Sequence, residues 1–559
     1  MNTSEVNFYY YGAQTPHKEL IHQLDQFHPI ISCDVETPSL KDRRLLGIGM
    51  AFSGSDAFYL PIASQYMDIV KRVLVNPNIV KVFHNGGFDL AVIEKWLGVT
   101  VVNVTDTIVE ARLLGLTPAL ADLALDLLGE AKPPITDLIG KGTKAITMDM
   151  VPEEDVAKRC CEDVQVTWRV HEKIWDDVPK QALGLELKLF PLVSKIRERG
   201  MYIDQTQLIR TMDSVWSNVD WYYSICKSQG FNPGSSKQFG EFLESRGHVV
   251  QTDAVTGNYK LSEEDIKEFY LHDIYARTVL AYRRWSHQLS WLKNVNVKYL
   301  AEDGRIHPTL KQGGAVTGRF ASTDPNSQNI EPILRNILSV GKGKKAVARD
   351  FSQIELRTMA YLSQDPTMVA IYRDTSRSLH DEVAMQFNMD KRDAKTVNFG
   401  VAYGGNEYTL WRNNQIPMEQ GKQFLANHRS MFPVLWEWIN HEQTEIMRKG
   451  YVETMMGRRR YLPGLNSSDS RERKKAVREG FNMIAQGSAA EFLKEGMIKY
   501  SKEEMINLIH DEYYFEADEG HVVPSLQDVA PFNTPMSYSI GDNFGKFGKK
   551  NVRGLVEVK

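Results

Sequence analysis

Two carboxylates, Asp34 and Glu36, stand two residues apart in the apolar run IISCDVE. On a strand that spacing sends both side chains to one face, where they could share a cation. Asp89, just past the run KVFHN, and Asp163, within RCCEDV, supply acids from two further segments. Carboxylate oxygens are the ligands that hard divalent cations take. Four carboxylates exceed the need of one ion and suit a pair about 3.5 to 4 Å apart, one activating water and the other steadying the leaving oxygen of a phosphodiester. A DxE pair alone is an ordinary solvated strand face, so the metal-site expectation rests on the three segments together.

A second set lies far along the chain. Asp350 lies near the end of the alternating run AVARDF, which leads into the helical pattern SQIELRTMAYL, where a lone Asp would be a helix cap. MINLIHDEYYFEA reads as one strand whose apolar flanks hold His510, Asp511 and Glu512 at its centre. Burying those charges is costly unless a cation or partner offsets them. Between the two, in MDKRDAKTVNFGVAYGG, Lys391, Lys395, Phe399 and Tyr403 recur every four residues and place two cations, then two rings, on one helix face. Gly404 and Gly405 suit its C-terminal stop. A nucleotide could lie along that face, phosphates on the lysines and sugar and base on the rings; an amphipathic surface helix is the plain alternative. GKGKK and GKGTK lack the GxxxxGK[ST] spacing, so no Walker loop holds the phosphates.

These residues need elements to position them. The chain has 559 residues, 42% hydrophobic and 25% charged, the composition of an ordinary globular protein with several domains. Four cysteines, Cys33, Cys160, Cys161 and Cys226, form no CxxC pair, which excludes a zinc-ribbon reading and disfavours disulfides. No apolar run is long enough to span a membrane and the start lacks a signal-peptide pattern, so a cytoplasmic location is expected. The net charge of −4 hides an asymmetry: residues 1–180 hold 17 Lys and Arg against 25 Asp and Glu, the remainder 50 against 46. The acidic part suits metal chemistry, whereas the basic runs at 341–345, 457–460 and 471–478 could meet phosphates. From residue 30 the pattern is α/β, with strands at IISCDVE, LLGIGMAF, AFYLPI and KVFHN, then helices; a long amphipathic helix ending at Gly200 opens a mainly helical region, with the boundary near residue 180.

CDVETPSL, HNGGFD and CCEDV, in this order, resemble the three motifs of the proofreading 3′ to 5′ exonuclease of DNA polymerase I relatives. The resemblance implies a ribonuclease H-like fold for residues 1–180, with Asp34, Glu36, Asp89 and Asp163 as metal ligands and Asn85 and Leu40 near a frayed 3′ end. Arg159 stands where the family usually has a Tyr that helps orient the attacking water, so slowed proofreading is expected. DFSQIELR, KRDAKTVNFGVAYGG and IHDEYYFEA resemble motifs A, B and C of family A DNA polymerases, and TGRFASTDPNSQNI resembles the template-primer segment that precedes motif A. FNPGSSKQFGEFL and AYRRWSHQLSWLK resemble the thumb, and REGFNMIAQGSAAEFLK the palm segment on the primer-template minor groove.

The implied architecture is a right hand: thumb and start of the polymerase domain over 181–312, palm over 313–362, fingers over 363–440 and palm again over 441–559. By resemblance, Asp350 and Asp511 bind two catalytic Mg²⁺ ions and Glu512 supports them. Two more Mg²⁺ occupy the exonuclease carboxylates, with Mn²⁺ able to substitute. His380, Lys391, Lys395 and Phe399 hold the incoming dNTP, Lys395 also serving the leaving pyrophosphate; Tyr403 stacks near the templating position and Glu355 closes the pocket against a ribose 2′-OH. Arg319, Asn326, Gln328, Asn329, Arg478, Asn482 and Gln486 contact primer-template DNA. Lys391 departs from the family's usual Arg, keeping the charge and losing the bidentate fork. No segment resembles a 5′-nuclease domain or a large thumb insertion, and this compactness leads to the expectation of a phage replicative enzyme. It would act as a monomer without membrane contact, alongside a phage helicase, primase or single-strand-binding protein. A dedicated exonuclease whose C-terminal part only grips DNA leaves Asp350, Lys395 and Asp511 unexplained, and a non-catalytic scaffold leaves both carboxylate sets unexplained.

Overall fold

The computed structural model describes residues 7–10, 28–39, 41–64, 66–269, 273–374, 377–414, 416–526, 528–545 and 554–558. Leu40 lies outside the described residues. The chain folds as two compact units, Met1–Ser194 with Glu453–Tyr461, and Lys195–Val452 with Leu462–Lys559. Among the described residues no helix is long and apolar enough to cross a membrane.

The first unit is built on a six-stranded mixed sheet in the order Asn7–Tyr10, Asp56–Pro61, Gly47–Ala51, Ile30–Glu36, Val80–Phe83, Val104–Asp106. Ile30–Glu36 runs antiparallel to Gly47–Ala51 and parallel to Val80–Phe83. Its period-two pattern divides its side chains: Ile31, Cys33 and Val35 enter an apolar cluster with Ile48, Phe58 and Ile93. Ser32, Asp34 and Glu36 point to the other face, which the helix Glu153–Ile174 covers; Ser32 Oγ donates to Val164 O at 2.6 Å. Gly49, opposite Asp34 in the register, permits that approach, because a Cβ there would sit 2.5 Å from Cys160 Sγ. The segment Glu453–Tyr461 is tied into this unit by a nearly fully buried ion pair between Arg458 and Glu186.

In the second unit a five-stranded antiparallel sheet runs in the order Met505–Ile509, Glu512–Asp518, Lys344–Phe351, Met536–Gly541, Val556–Glu557. MINLIHDEYYFEA is therefore not one strand. It is a hairpin whose turn is His510–Asp511, with His510 in the left-handed region at φ +56°, and the turn moves Asp511 to the end of the sheet. The thirty-residue helix Ser470–Lys499 buries a run of small residues, Gly487, Ser488, Ala489, Ala490 and Gly496, and so packs closely; a Cβ on Gly496 would collide with the Tyr513 hydroxyl. Helices Ile354–Ser363, Leu379–Gln386, Lys391–Ala402 and Pro433–Lys449 bury their apolar faces in one cluster around Phe432, Leu435 and Phe481. The long helices Gln205–Ser228 and Ile274–Asn294 pack on each other.

Candidate active sites

In the first unit, Asp34 and Glu36 leave their strand on the helix-covered face, and a ligand atom from each lies within 4.8 Å of the other and of Cys160 Sγ. Asp89 comes from the first turn of the helix Gly86–Leu97 and accepts from Val35 N at 2.9 Å. Burial raises all three: Asp34 to about 6, Glu36 to about 8 with the charge of Asp34 adding to the effect, and Asp89 well above the usual range. Cys160 donates toward Asp34 Oδ2 at 3.7 Å, and burial holds it as a thiol, so it neighbours the carboxylates without being a thiolate ligand.

Asp163 is differently placed. Arg159, one helical turn earlier, approaches its Oδ2 at 3.2 Å, and the almost fully buried ammonium of Lys132 contacts Oδ1. Burial and the Arg159 charge lower Lys132 to about 8. Three carboxylates raised by burial with only partial compensation form a donor set that suits a hard divalent cation, while Asp163 is already neutralised by two side-chain cations. Asn85 is exposed and caps the Gly86–Leu97 helix with φ +73°. Sequence reading missed Asp106, which accepts from Gly86 N at 2.6 Å and from Ile108 N, and so fixes the start of the helix that carries Asp89. An Asp directly before TIVEARL is an N-cap signal that could have found it.

In the second unit, Asp350 pairs in register with Glu512 and Phe351 N donates to Asp511 O at 3.3 Å, so the three acids gather at one end of the sheet. Arginines hold two of them. Arg319 bridges Asp511 Oδ1, at 3.1 Å, and the buried Glu355. Arg335 donates to Glu512 Oε2 at 3.1 Å, and Tyr514 to the same oxygen at 2.5 Å. Burial raises Glu355, which also accepts from Tyr403 at 2.9 Å and is hydrogen bonded to Gln486. The donor chemistry of Asp350 and Asp511 suits a hard cation, and Arg319 is the group such an ion would displace from Asp511.

The helix Lys391–Ala402 carries the expected face. Phe399 stacks on Tyr403 with centroids 5.8 Å apart and lies 5.5 Å from the His380 ring, and the Lys395 ammonium is 5.8 Å from the Phe399 centroid. Lys391 is ion-paired with Asp381 at 2.7 Å. Arg478, Asn482 and Gln486 follow one another at helical spacing on Ser470–Lys499; Arg478 is exposed and Asn482 Oδ1 is buried without a hydrogen-bond partner. Asn326 and Gln328 make internal contacts: Asn326 O accepts from Trp291, its Oδ1 accepts from Gln328 N, and the Gln328 amide donates to Leu508 O. Asn329 is exposed.

A sequence model described as DNA polymerase family A matches residues 208–531, more than half of the chain. The chain belongs to DNA polymerase family A. A second model, described as 3′-5′ exonuclease, matches residues 13–179, which contain the Asp34 cluster. DNA polymerase I of Chloroflexus aurantiacus is 30% identical over 564 residues, covering 90% of this chain and 59% of the relative. DNA polymerase I of Pseudomonas aeruginosa is 28% identical over 560 residues, covering 90% and 61%. The chain thus spans about three-fifths of the length of these relatives. The fold is similar to that of the POL domain of Pol1 from M. smegmatis, solved in complex with DNA primer-template and dNTP, with a TM-score of 0.76 and 23% identity over 92% of this chain and 95% of that one. The ribonuclease H-like unit followed by a right-hand polymerase unit expected from sequence agrees with both models and this likeness.

Proposed function

We propose that the chain is a template-directed DNA polymerase that adds dNTPs to a primer 3′-OH and proofreads with a 3′ to 5′ exonuclease in its first unit. One observation carries the reading. Tyr403, at the end of the aromatic helix face, hydrogen bonds Glu355, which pairs with Arg319, which pairs with Asp511. The face suited to a nucleotide and the carboxylate end of the sheet are therefore one contiguous site.

Within it, Lys391 and Lys395 attract the triphosphate, Phe399 and Tyr403 supply flat apolar surfaces for sugar and base, and Glu355, buried beside Tyr403, is placed to exclude a ribose 2′-OH. Asp350 and Asp511 would hold two Mg²⁺, and Asp34, Glu36 and Asp89 the cations of the exonuclease. Such ions lower the pKa of the attacking oxygen and offset charge on the leaving group. Helix closure over a correct pair and delayed closure over a mismatch follow the logic of induced fit. In this reading the second unit's 195–312 is thumb, 363–440 fingers, and 313–362 with 441–452 and 462–559 palm. Arg478, Asn482 and Gln486 track the primer-template, and the enzyme acts as a cytoplasmic monomer in replication.

Extension of a primed template with dNTPs and Mg²⁺ tests the proposal. Wild-type protein should extend the primer and Asp511→Ala should not; absence of extension by folded wild-type protein would overturn it.

A further inference from the structure

A line of four polar side chains crosses the apolar cluster under the Lys391–Ala402 helix. Trp436 Nε1 is 3.1 Å from His428 Nδ1, His428 Nε2 is 3.2 Å from Asn398 Oδ1, and Asn398 Nδ2 is 2.9 Å from His380 Nδ1. Asn398 is 1% exposed, His428 2% and His380 6%, so water does not complete these bonds. Sequence reading singled out His380 alone.

The line has one allowed polarity. An indole N–H can only donate, so His428 Nδ1 must accept and its proton must sit on Nε2. That N–H donates to the Asn398 carbonyl oxygen, which turns the amide NH₂ toward His380. His380 Nδ1 then accepts, and a neutral His380 can carry its proton only on Nε2. Any reversal would set two donors or two acceptors against each other in a buried site. Burial, followed by the charges of Lys395 and Lys391 and opposed by that of Asp381, lowers His380 to about 4, and burial lowers His428 to about 3, so both rings are neutral near pH 7.

We propose that Trp436, His428 and Asn398 form a directional relay that holds His380 as the Nε2–H tautomer, so that it presents a fixed donor to an anionic group of the incoming nucleotide. This rests on the reading of the His380, Lys395 and Phe399 face as the nucleotide site. The three relay members are positioning residues: none needs to touch substrate, and each acts through the next. A neutral, pre-aimed donor adds geometry that the two flexible lysines cannot, and the cost of orienting it is met in folding rather than at each binding event.

Histidine-selective ¹⁵N labelling with long-range ¹H–¹⁵N correlation reports the tautomer directly, with the His380 signal assigned from its loss in His380→Ala. Wild-type protein should show a single Nε2–H form. Trp436→Phe keeps the ring in its packing but removes the donor that sets the polarity, so the Nδ1–H form of His380 should become populated. The dNTP KM should rise about three- to tenfold, the size expected for one net hydrogen bond, with kcat little changed. His428→Leu should act in the same direction, and serves if Trp436→Phe fails to fold. A His380 tautomer unmoved in folded Trp436→Phe and His428→Leu would overturn the relay. An altered tautomer with unchanged KM, while His380→Ala raises KM, would overturn its role in binding. If His380→Ala itself leaves KM unchanged, the nucleotide-site reading fails, while the tautomer signal still decides the relay.

Discussion

Divalent-ion binding to the first unit should be steeply pH-dependent, by at least the amount set by Glu36. Its folded value is about 8 against an ordinary 4.5, raised by burial and the neighbouring Asp34. A cation bound by the ionised carboxylate must displace that proton, so binding weakens by a factor approaching tenfold per pH unit below 8, or about 50-fold (about 2.3 kcal/mol) between pH 8 and 6. Asp34, raised to about 6 from 3.8, adds a second displaced proton below pH 6. The same shifts set a stability trend. Both folded values lie above the unfolded ones, so the folded metal-free unit holds more protons across about pH 4 to 8, and its stability falls as pH rises through that window. A saturating divalent ion should cancel the fall. The assay is calorimetric titration with Mn²⁺ from pH 5.5 to 8.5, in buffers of different ionisation enthalpy so that released protons are counted, on Asp350→Asn with Asp511→Asn to silence the other carboxylate set. Glu36→Gln should reduce the response between pH 6 and 8 and leave the part that the raised Asp89 contributes. An affinity changing less than about threefold over that range with the first unit unsubstituted, or binding without proton release, would refute the reasoning.

Two further outcomes follow from the same unit. Lys132 and Arg159 both hold Asp163, and a unit charge at about 4 Å costs a divalent ion about 2 kcal/mol even at the dielectric of water; Lys132→Met should tighten Mn²⁺ binding at least tenfold, and Arg159→Tyr should raise turnover on a mismatched 3′ end. Lower exonuclease turnover in either variant would mean that these cations assist the reaction. Arg458→Ala should destabilise the first unit by about 3 kcal/mol, the lower end for breaking a buried pair because Arg112 also lies near Glu186, and Arg458→Met with Glu186→Leu should recover most of it; thermal unfolding of the single and double variants measures both.

Much of this was legible because it is local. Alternation places Asp34 and Glu36 on one face, Asp350 falls at a strand end before a helix, and the four-residue recurrence sets Lys391 through Tyr403 along one helix. The hairpin at His510–Asp511 was not legible, since a continuous apolar and aromatic run lacks Gly or Pro and the turn rests on a histidine at positive φ. Long-range partners were equally silent. Nothing near Lys132 predicts Asp163, and nothing near Arg335 predicts Glu512, 177 residues away. Nor does GRRR at 457–460, read as a candidate phosphate-binding run, reveal that Arg458 is buried against Glu186. Asn398 reads as an ordinary polar residue in motif B until His428 and Trp436 arrive from helices thirty residues on.

On the proposed reading one chain carries two activities on two separate carboxylate sets. Its most direct test is a single time course on a primed template with a 3′ mismatch, following extension and degradation together. Asp34→Ala with Glu36→Ala removes a half-buried and a buried carboxyl, both poorly compensated, and should stay folded, lose degradation and still extend a matched primer. Asp350→Ala should degrade and not extend. Loss of both activities in folded protein of either variant would contradict the account.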